Sequence, residues 1–162
     1  MARIWEDEGR RAGTWPVRSR GELAAAAEAL AAAFPSVDAV YLFGTRARGQ
    51  THEASDVDVA VWLDPPASLS ERVSTQAEIA RFLETRLQVP VDVVILRPDL
   101  SPGLLFDIFS VETILYARND ERAHRLAGRA RSEYRDLLPR LERIFDRVQR
   151  RIEEWASAVD RS

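Results

Sequence analysis

Leu42-Phe43-Gly44-Thr45-Arg46-Ala47-Arg48-Gly49 is followed a few residues later by Ser55-Asp56-Val57-Asp58-Val59-Ala60-Val61. An apolar strand runs into a glycine turn that carries a hydroxyl and two arginines. A second apolar strand then opens on two aspartates one residue apart. In extended backbone, positions i and i+2 share a face, roughly 7 Å apart. Asp56 and Asp58 therefore project together, and Val57 and Val59 project the other way. Two carboxylates on one face make a poor apolar surface and a good site for a hard divalent cation, which prefers oxygen ligands. Gly44 has two readings: a turn that ends a strand, or a close approach of backbone N–H groups to a phosphate, which a residue without Cβ permits. Metal, phosphates and carboxylates together point to phosphoryl or nucleotidyl transfer.

The neighbouring residues refine this reading. Thr45 adds a hydroxyl donor. Arg46 and Arg48 are two apart, so they share a face in a loop or strand and diverge on a helix; one of them is expected to reach a triphosphate. Ser55 most simply caps its own backbone. His52 reads as a loop histidine facing solvent, and His124 as a surface residue of a helix. Asp92 supplies a third carboxylate, on a short apolar strand where an unpartnered aspartate is costly to bury. If its strand lies beside that of Asp56 and Asp58, three carboxylates converge and one or two cations can neutralise them.

Outward from the motif, the elements alternate. Ser19-Arg20-Gly21-Glu22 is a capping-box pattern that predicts a helix along the alanine-rich run, with Leu23, Ala27, Leu30 and Phe34 as its apolar stripe and Pro35 as its stop. Val37 to Phe43 is the first strand. Gly44 to Ala54 is turn-rich. Asp56 to Leu63 is the second strand, apolar on both faces past its aspartates and so central in a sheet. Ser68-Leu69-Ser70-Glu71 is a second capping-box pattern, opening a helix with Ile79, Phe82, Leu83 and Leu87 on one stripe. A third strand spans Val91 to Leu96, a short helix residues 102–109, and a fourth strand Thr113 to Ala117. From Asp120 a helical stripe runs through Leu126, Ala130, Tyr134, Leu138, Leu141, Phe145, Val148, Ile152 and Trp155. Pro139 lies inside it, which predicts two helices or one kinked helix. Residues 1–18 read as loosely ordered, with Trp5 and Trp15 as anchors on the core.

Composition narrows the function. A chain of 162 residues suits one domain with a single substantial core. The net charge of -3 provides no overall basic field for general nucleic-acid binding. The chain has no lysine, so any phosphate contact falls to arginine or backbone N–H. Codon bias in a GC-rich genome accounts for most of the surface arginines. Cysteine is absent, which excludes disulfides and cysteine–zinc sites. Met1-Ala2-Arg3-Ile4-Trp5-Glu6-Asp7-Glu8 is acidic where a signal peptide is basic and then apolar, so a cytoplasmic location with no membrane association is expected.

Gly44-Thr45-Arg46-Ala47-Arg48-Gly49, Ser55-Asp56-Val57-Asp58 and Asp92 resemble the signature of the polymerase-beta-like nucleotidyltransferase superfamily. The chain is close in size to its minimal nucleotidyltransferase (MNT) members, which commonly act as antitoxins paired with a HEPN-domain toxin. The resemblance covers about residues 37–117 and is looser over the last forty. It implies an α+β fold, a mixed sheet of about four strands flanked by helices, with C-terminal helices at about 120–158 completing one domain over 1–162. It implies magnesium, two ions, held by Asp56, Asp58 and Asp92. ATP would sit at Gly44 and Thr45, with Arg46, Arg48 and Ser55 completing the nucleotide-binding candidates. Asp92 would also help deprotonate the acceptor hydroxyl.

Antitoxin members are similar in placing AMP on a tyrosine of the toxin, and that is the activity expected here. The alternatives are transfer to a small molecule of aminoglycoside type, and a binding-only antitoxin with a vestigial site. The sequence departs from the family at Thr45, where serine is usual, and at Ser110-Val111-Glu112, where a glycine is common. The C-terminal stripe is longer than four short strands need for cover. Part of it, around Phe145, Ile152 and Trp155, is expected to be available to another chain.

Overall fold

The computed structural model describes residues 18–47, 56–111 and 114–159, with Thr45, Arg46 and residues 155–159 described by their backbone. Trp5, Trp15, Arg48, Gly49, His52 and Ser55 lie outside the described residues.

Helix α1 spans Arg20–Ala33. Its start is the capping box read from sequence: Glu22 N donates to Ser19 Oγ at 3.2 Å, and Ser19 N donates to Glu22 Oε2 at 2.8 Å. Such a cap satisfies two otherwise orphaned N–H groups. Strand β1, Val37–Phe43, is buried along its whole length. A single helical turn, α2, covers Gly44–Ala47, so Arg46 lies on helix. Strand β2 is Val57–Leu63, which leaves Asp56 one residue before its first rung.

Helix α3 spans Arg72–Leu87, three residues later than the second capping-box pattern predicts. The hydrogen bonds explain the correction. Ser68 Oγ and Ser68 N both donate to the Glu71 carboxylate, and Glu71 N and Arg72 N both donate to Ser68 O. Ser68 and Glu71 close a turn on each other, and the Glu71 N–H that a cap would bring to Ser68 Oγ goes to Ser68 O instead. Strand β3 is Val91–Ile95, helix α4 is Pro102–Phe109, and strand β4 is Ile114–Ala117. Of the Ser110-Val111-Glu112 segment before β4, Glu112 lies outside the described residues. Helix α5 runs unbroken from Asp120 to Val159 with Pro139 inside it, so the two-helix alternative does not hold.

The four strands form one sheet in the order β3-β2-β1-β4. β1 is antiparallel to β2 and to β4, and β2 is parallel to β3. The fold is α+β with a mixed sheet, and β2 is interior as its apolar run requires. One face, formed by Val40, Leu42, Val57, Val59, Val61, Val91, Val93 and Ile95, packs on α1 and α3 through Leu23, Leu30, Ile79 and Leu83. The other face, formed by Ala39, Tyr41, Phe43 and Ala60, packs on Ile108 and Phe109 of α4 and on Ala123, Ala127 and Ala130 of α5. Tyr41 and Phe109 meet edge to face with centroids 5.0 Å apart.

The root of α5 is clamped to one end of the sheet. Arg122 donates to Asp64 Oδ2 at 2.8 Å, lies 3.7 Å from Asp38, and covers the Trp62 ring at 4.3 Å. Arg118 donates to Val37 O at 3.1 Å, and Tyr41 Oη donates to Ala123 O at 3.3 Å. Burial, reinforced by the nearby Asp38 charge, pushes the Tyr41 hydroxyl far above its ordinary range, so it stays a neutral donor.

Candidate active site

The aspartates sit at the end of the sheet opposite that clamp. In the parallel β2–β3 pair, Asp58 is the register partner of Asp92. Residues opposite each other in neighbouring strands share a face, so these carboxylates stand side by side. The flanking valines confirm the sense of the alternation. Val57, Val59, Val91 and Val93 are buried against α1 and α3, while Asp58 is half-buried and Asp92 exposed. Asp56 precedes Asp58 by two residues and is half-buried.

Across the other side of β2, Asp58 is the register partner of Phe43, and the next residue of that strand is Gly44. Gly44 has φ +73°, in the left-handed region. A Cβ at this position would lie 2.9 Å from Asp58 Cγ and closer still to its Oδ2. Glycine is therefore needed here on two grounds: the backbone turn, and the carboxylate that occupies the space of a side chain. Sequence reasoning found the glycine and tied it to the turn or to phosphate approach, but not to the space the Asp58 carboxylate occupies. The β1–β2 register, which brings Phe43 opposite Asp58, is the signal that would have revealed the second reason.

The donor set suits a hard cation, since every candidate ligand is a carboxylate oxygen. The β2–β3 register brings Asp58 to Asp92, and Gly44 leaves room for the Asp58 carboxylate beside the turn. Among the described residues, however, no three His, Asp or Glu side chains are grouped closely enough to form a metal centre. Of the nucleotide-binding candidates, Gly44, Thr45 and Arg46 form α2 directly after β1, and Arg48 and Ser55 lie outside the described residues. A roomy concavity of about 630 Å³ lies elsewhere, lined by Arg20, Glu28, Tyr116, Asp120 and His124. It shares no residue with the carboxylate end.

A model of the family described as polymerase beta, nucleotidyltransferase matches residues 27–121. The chain belongs to this family. The match spans the three aspartates, Gly44 and all four strands. Comparison with curated proteins found no match. Among solved structures, a toxin–antitoxin complex with AMP-PNP is 25% identical, with a TM-score of 0.63 over 78% of this chain and 98% of that one. A structure of a tri-AMPylated Shewanella oneidensis HEPN toxin in complex with its MNT antitoxin is 22% identical, with a TM-score of 0.61 over 81% of this chain and 99% of that one. The MntA–HepT toxin–antitoxin structure is 23% identical, with a TM-score of 0.59 over 78% and 97%. At these last two identities the likeness is one of fold.

Among the described residues no helix is long and apolar enough to cross a membrane. The C-terminal stripe divides into two parts. Ala123, Ala127 and Ala130 are buried, and Tyr134 stacks on Phe106 with centroids 4.1 Å apart. Beyond Leu141, which is half-buried, the apolar side chains open to solvent, with Phe145 68% and Ile152 60% exposed. The side chain of Trp155 lies outside the described residues.

Proposed function

We propose that this nucleotidyltransferase moves AMP from ATP to a protein hydroxyl, a tyrosine of a HEPN-type toxin, and so acts as the antitoxin of the pair. The observation that carries the reading is the juxtaposition of Asp58 and Asp92 beside the Gly44 turn, in a chain of this family. Support for the donor and the acceptor comes from the relatives, one solved with AMP-PNP and one with an AMPylated toxin.

In this reading Asp56, Asp58 and Asp92 would hold magnesium, which when bound would offset the negative charge of the phosphates during transfer. Gly44 and Thr45 receive the triphosphate at the first turn after β1, through backbone N–H groups and a hydroxyl. An arginine, Arg46 or Arg48, offsets charge on the departing pyrophosphate, since the chain has no lysine for that role. Asp92, the exposed member, faces the acceptor and takes its proton. The acceptor oxygen bonds to the α-phosphorus, the bond from that phosphorus to the bridging oxygen breaks, and pyrophosphate leaves.

The test is incubation with labelled ATP, magnesium and the product of the adjacent gene, followed by intact-mass analysis of both proteins. One or more added AMP groups on a tyrosine of the partner is the expected result. Label on a small hydroxylated acceptor with no partner present would move the assignment to a small-molecule enzyme. Neutralisation of the partner without any label would leave a binding antitoxin.

A further inference from the structure

We propose that the distal half of α5 is a self-association element, and that two copies of this chain pair through it antiparallel. Beyond the core, Leu138, Leu141, Phe145, Val148, Ile152 and Trp155 follow one another at alternating steps of three and four. That spacing is a coiled-coil seam, and it begins one turn beyond Tyr134, whose ring stacks on Phe106 of α4. Phe145, Val148 and Ile152 are 68%, 49% and 60% exposed, beside Ile144 at 52%. A helical extension with its apolar face in water is marginal on its own, because helices in proteins are stabilised mainly by packing that face.

The seam itself favours a second copy as occupant. With tails antiparallel about a point between Asp146 and Arg147, Phe145 packs on the partner's Val148 and Leu141 on the partner's Ile152. Every layer then sets a larger side chain against a smaller one or two of equal size, and the two-fold axis repeats each layer. A parallel pair would instead set Phe145 on the partner's Phe145 and leave the layers uneven. The flanking positions also fit. Glu142 meets the partner's Gln149, and Ile144 lies along the aliphatic stem of the partner's Arg151, so no like charges oppose. This pairing does not depend on the transfer reaction.

The experiment uses the full chain without any partner. Sedimentation at tens of micromolar is expected to show a dimer, and Val148→Asp to give a monomer whose core melts at the unchanged temperature. The absence of native cysteine gives a second measurement. A mixture of Leu141→Cys and Ile152→Cys chains is expected to form the mixed disulfide on mild oxidation, while neither variant cross-links with itself. A monomeric wild-type chain, a Val148→Asp chain that remains dimeric, or Leu141→Cys joining to itself would each overturn the proposal. So would a monomer in which Val148→Asp abolishes only the capture of a HEPN-type partner, since the seam would then belong to that partner.

Discussion

Asp58 and Asp92 are direct register partners across the parallel β2–β3 pair, although 33 residues separate them in the chain. Like charges directly opposed on one sheet face are destabilising in general, and a cost of that kind is expected here when no cation is bound. That cost is the basis of the first prediction. Asp56→Asn and Asp58→Asn should each lower transfer by about two orders of magnitude or more, with a melting temperature equal to or above that of the wild type. Single-turnover rates and thermal melts of both variants check it, and near-normal transfer in either variant removes that carboxylate from the machinery.

Asp92→Asn should separate binding from turnover. Asp92 is the exposed carboxylate on its own strand, across β2 from the Gly44 turn that receives phosphates in the proposed mechanism. Turnover should fall by roughly a hundredfold or more, with nucleotide affinity changed by a few-fold at most. Calorimetric titration with ATP and magnesium, set beside single-turnover rates, distinguishes this from a collapse of affinity at unchanged rate.

Gly44→Ala should harm both stability and activity. The left-handed φ costs an L residue about 1–2 kcal/mol, and the new Cβ meets Asp58 at a distance that forces the carboxylate aside. The urea midpoint should fall accordingly, and transfer should fall further than the lost stability explains. An alanine variant with normal transfer would mean that Asp58 is not held in its working position by this contact.

The α1 capping box gives a prediction in pH. Ser19 N–H, with help from the Ser19 hydroxyl, holds the Glu22 carboxyl below its ordinary range. A depressed carboxyl favours the folded state above its unfolded-state pKa and loses that contribution as pH falls through the lower folded value. Stability of the wild type should therefore decline below about pH 4.5 more than that of Glu22→Gln. Ser19→Ala should cost about 1 kcal/mol near neutral pH. Denaturant melts across pH 3 to 7, which spans the range given for ordinary carboxylates, test both; parallel curves for wild type and Glu22→Gln would remove the box as a source of the pH dependence.

The frame of the molecule was legible because its local signals agreed with its packing. Val37 to Phe43 reads as a strand and is one, buried on both faces. Ser19 and Glu22 announce α1 and form the box they suggest. Residues 102–109 form a helix within the same bounds. Where the reading slipped, a residue had a second use for its atoms. Ser68 had the sequence of a cap, but its carbonyl and not its hydroxyl takes the Glu71 N–H, and α3 starts at Arg72. At Pro139 the two-helix alternative fails and the one-helix alternative stands: the proline removes one donor from α5, the helix continues, and Pro139 O accepts from the Arg143 guanidinium at 2.9 Å. At the site, strand alternation placed Asp58 on the face away from the buried Val57 and Val59, while Asp56 precedes the strand. That Asp92 lies opposite Asp58, and that Asp58 fills the space beside Gly44, depended on inter-strand register, which no local pattern encodes.

The parallel pairing of β2 with β3 also sets the order in which the site can come into being. A hairpin can form from neighbouring residues alone, but a parallel pair needs its crossover in place first. Here that crossover includes the whole of α3. Closing so long a loop costs entropy before any contact repays it. The β1–β2 pair can bring Gly44 to Asp58 early, while Asp92 arrives only when Val91–Ile95 docks. During synthesis, then, the turn can meet Asp58 before Asp92 arrives, and the Asp58–Asp92 pair appears only with the completed sheet.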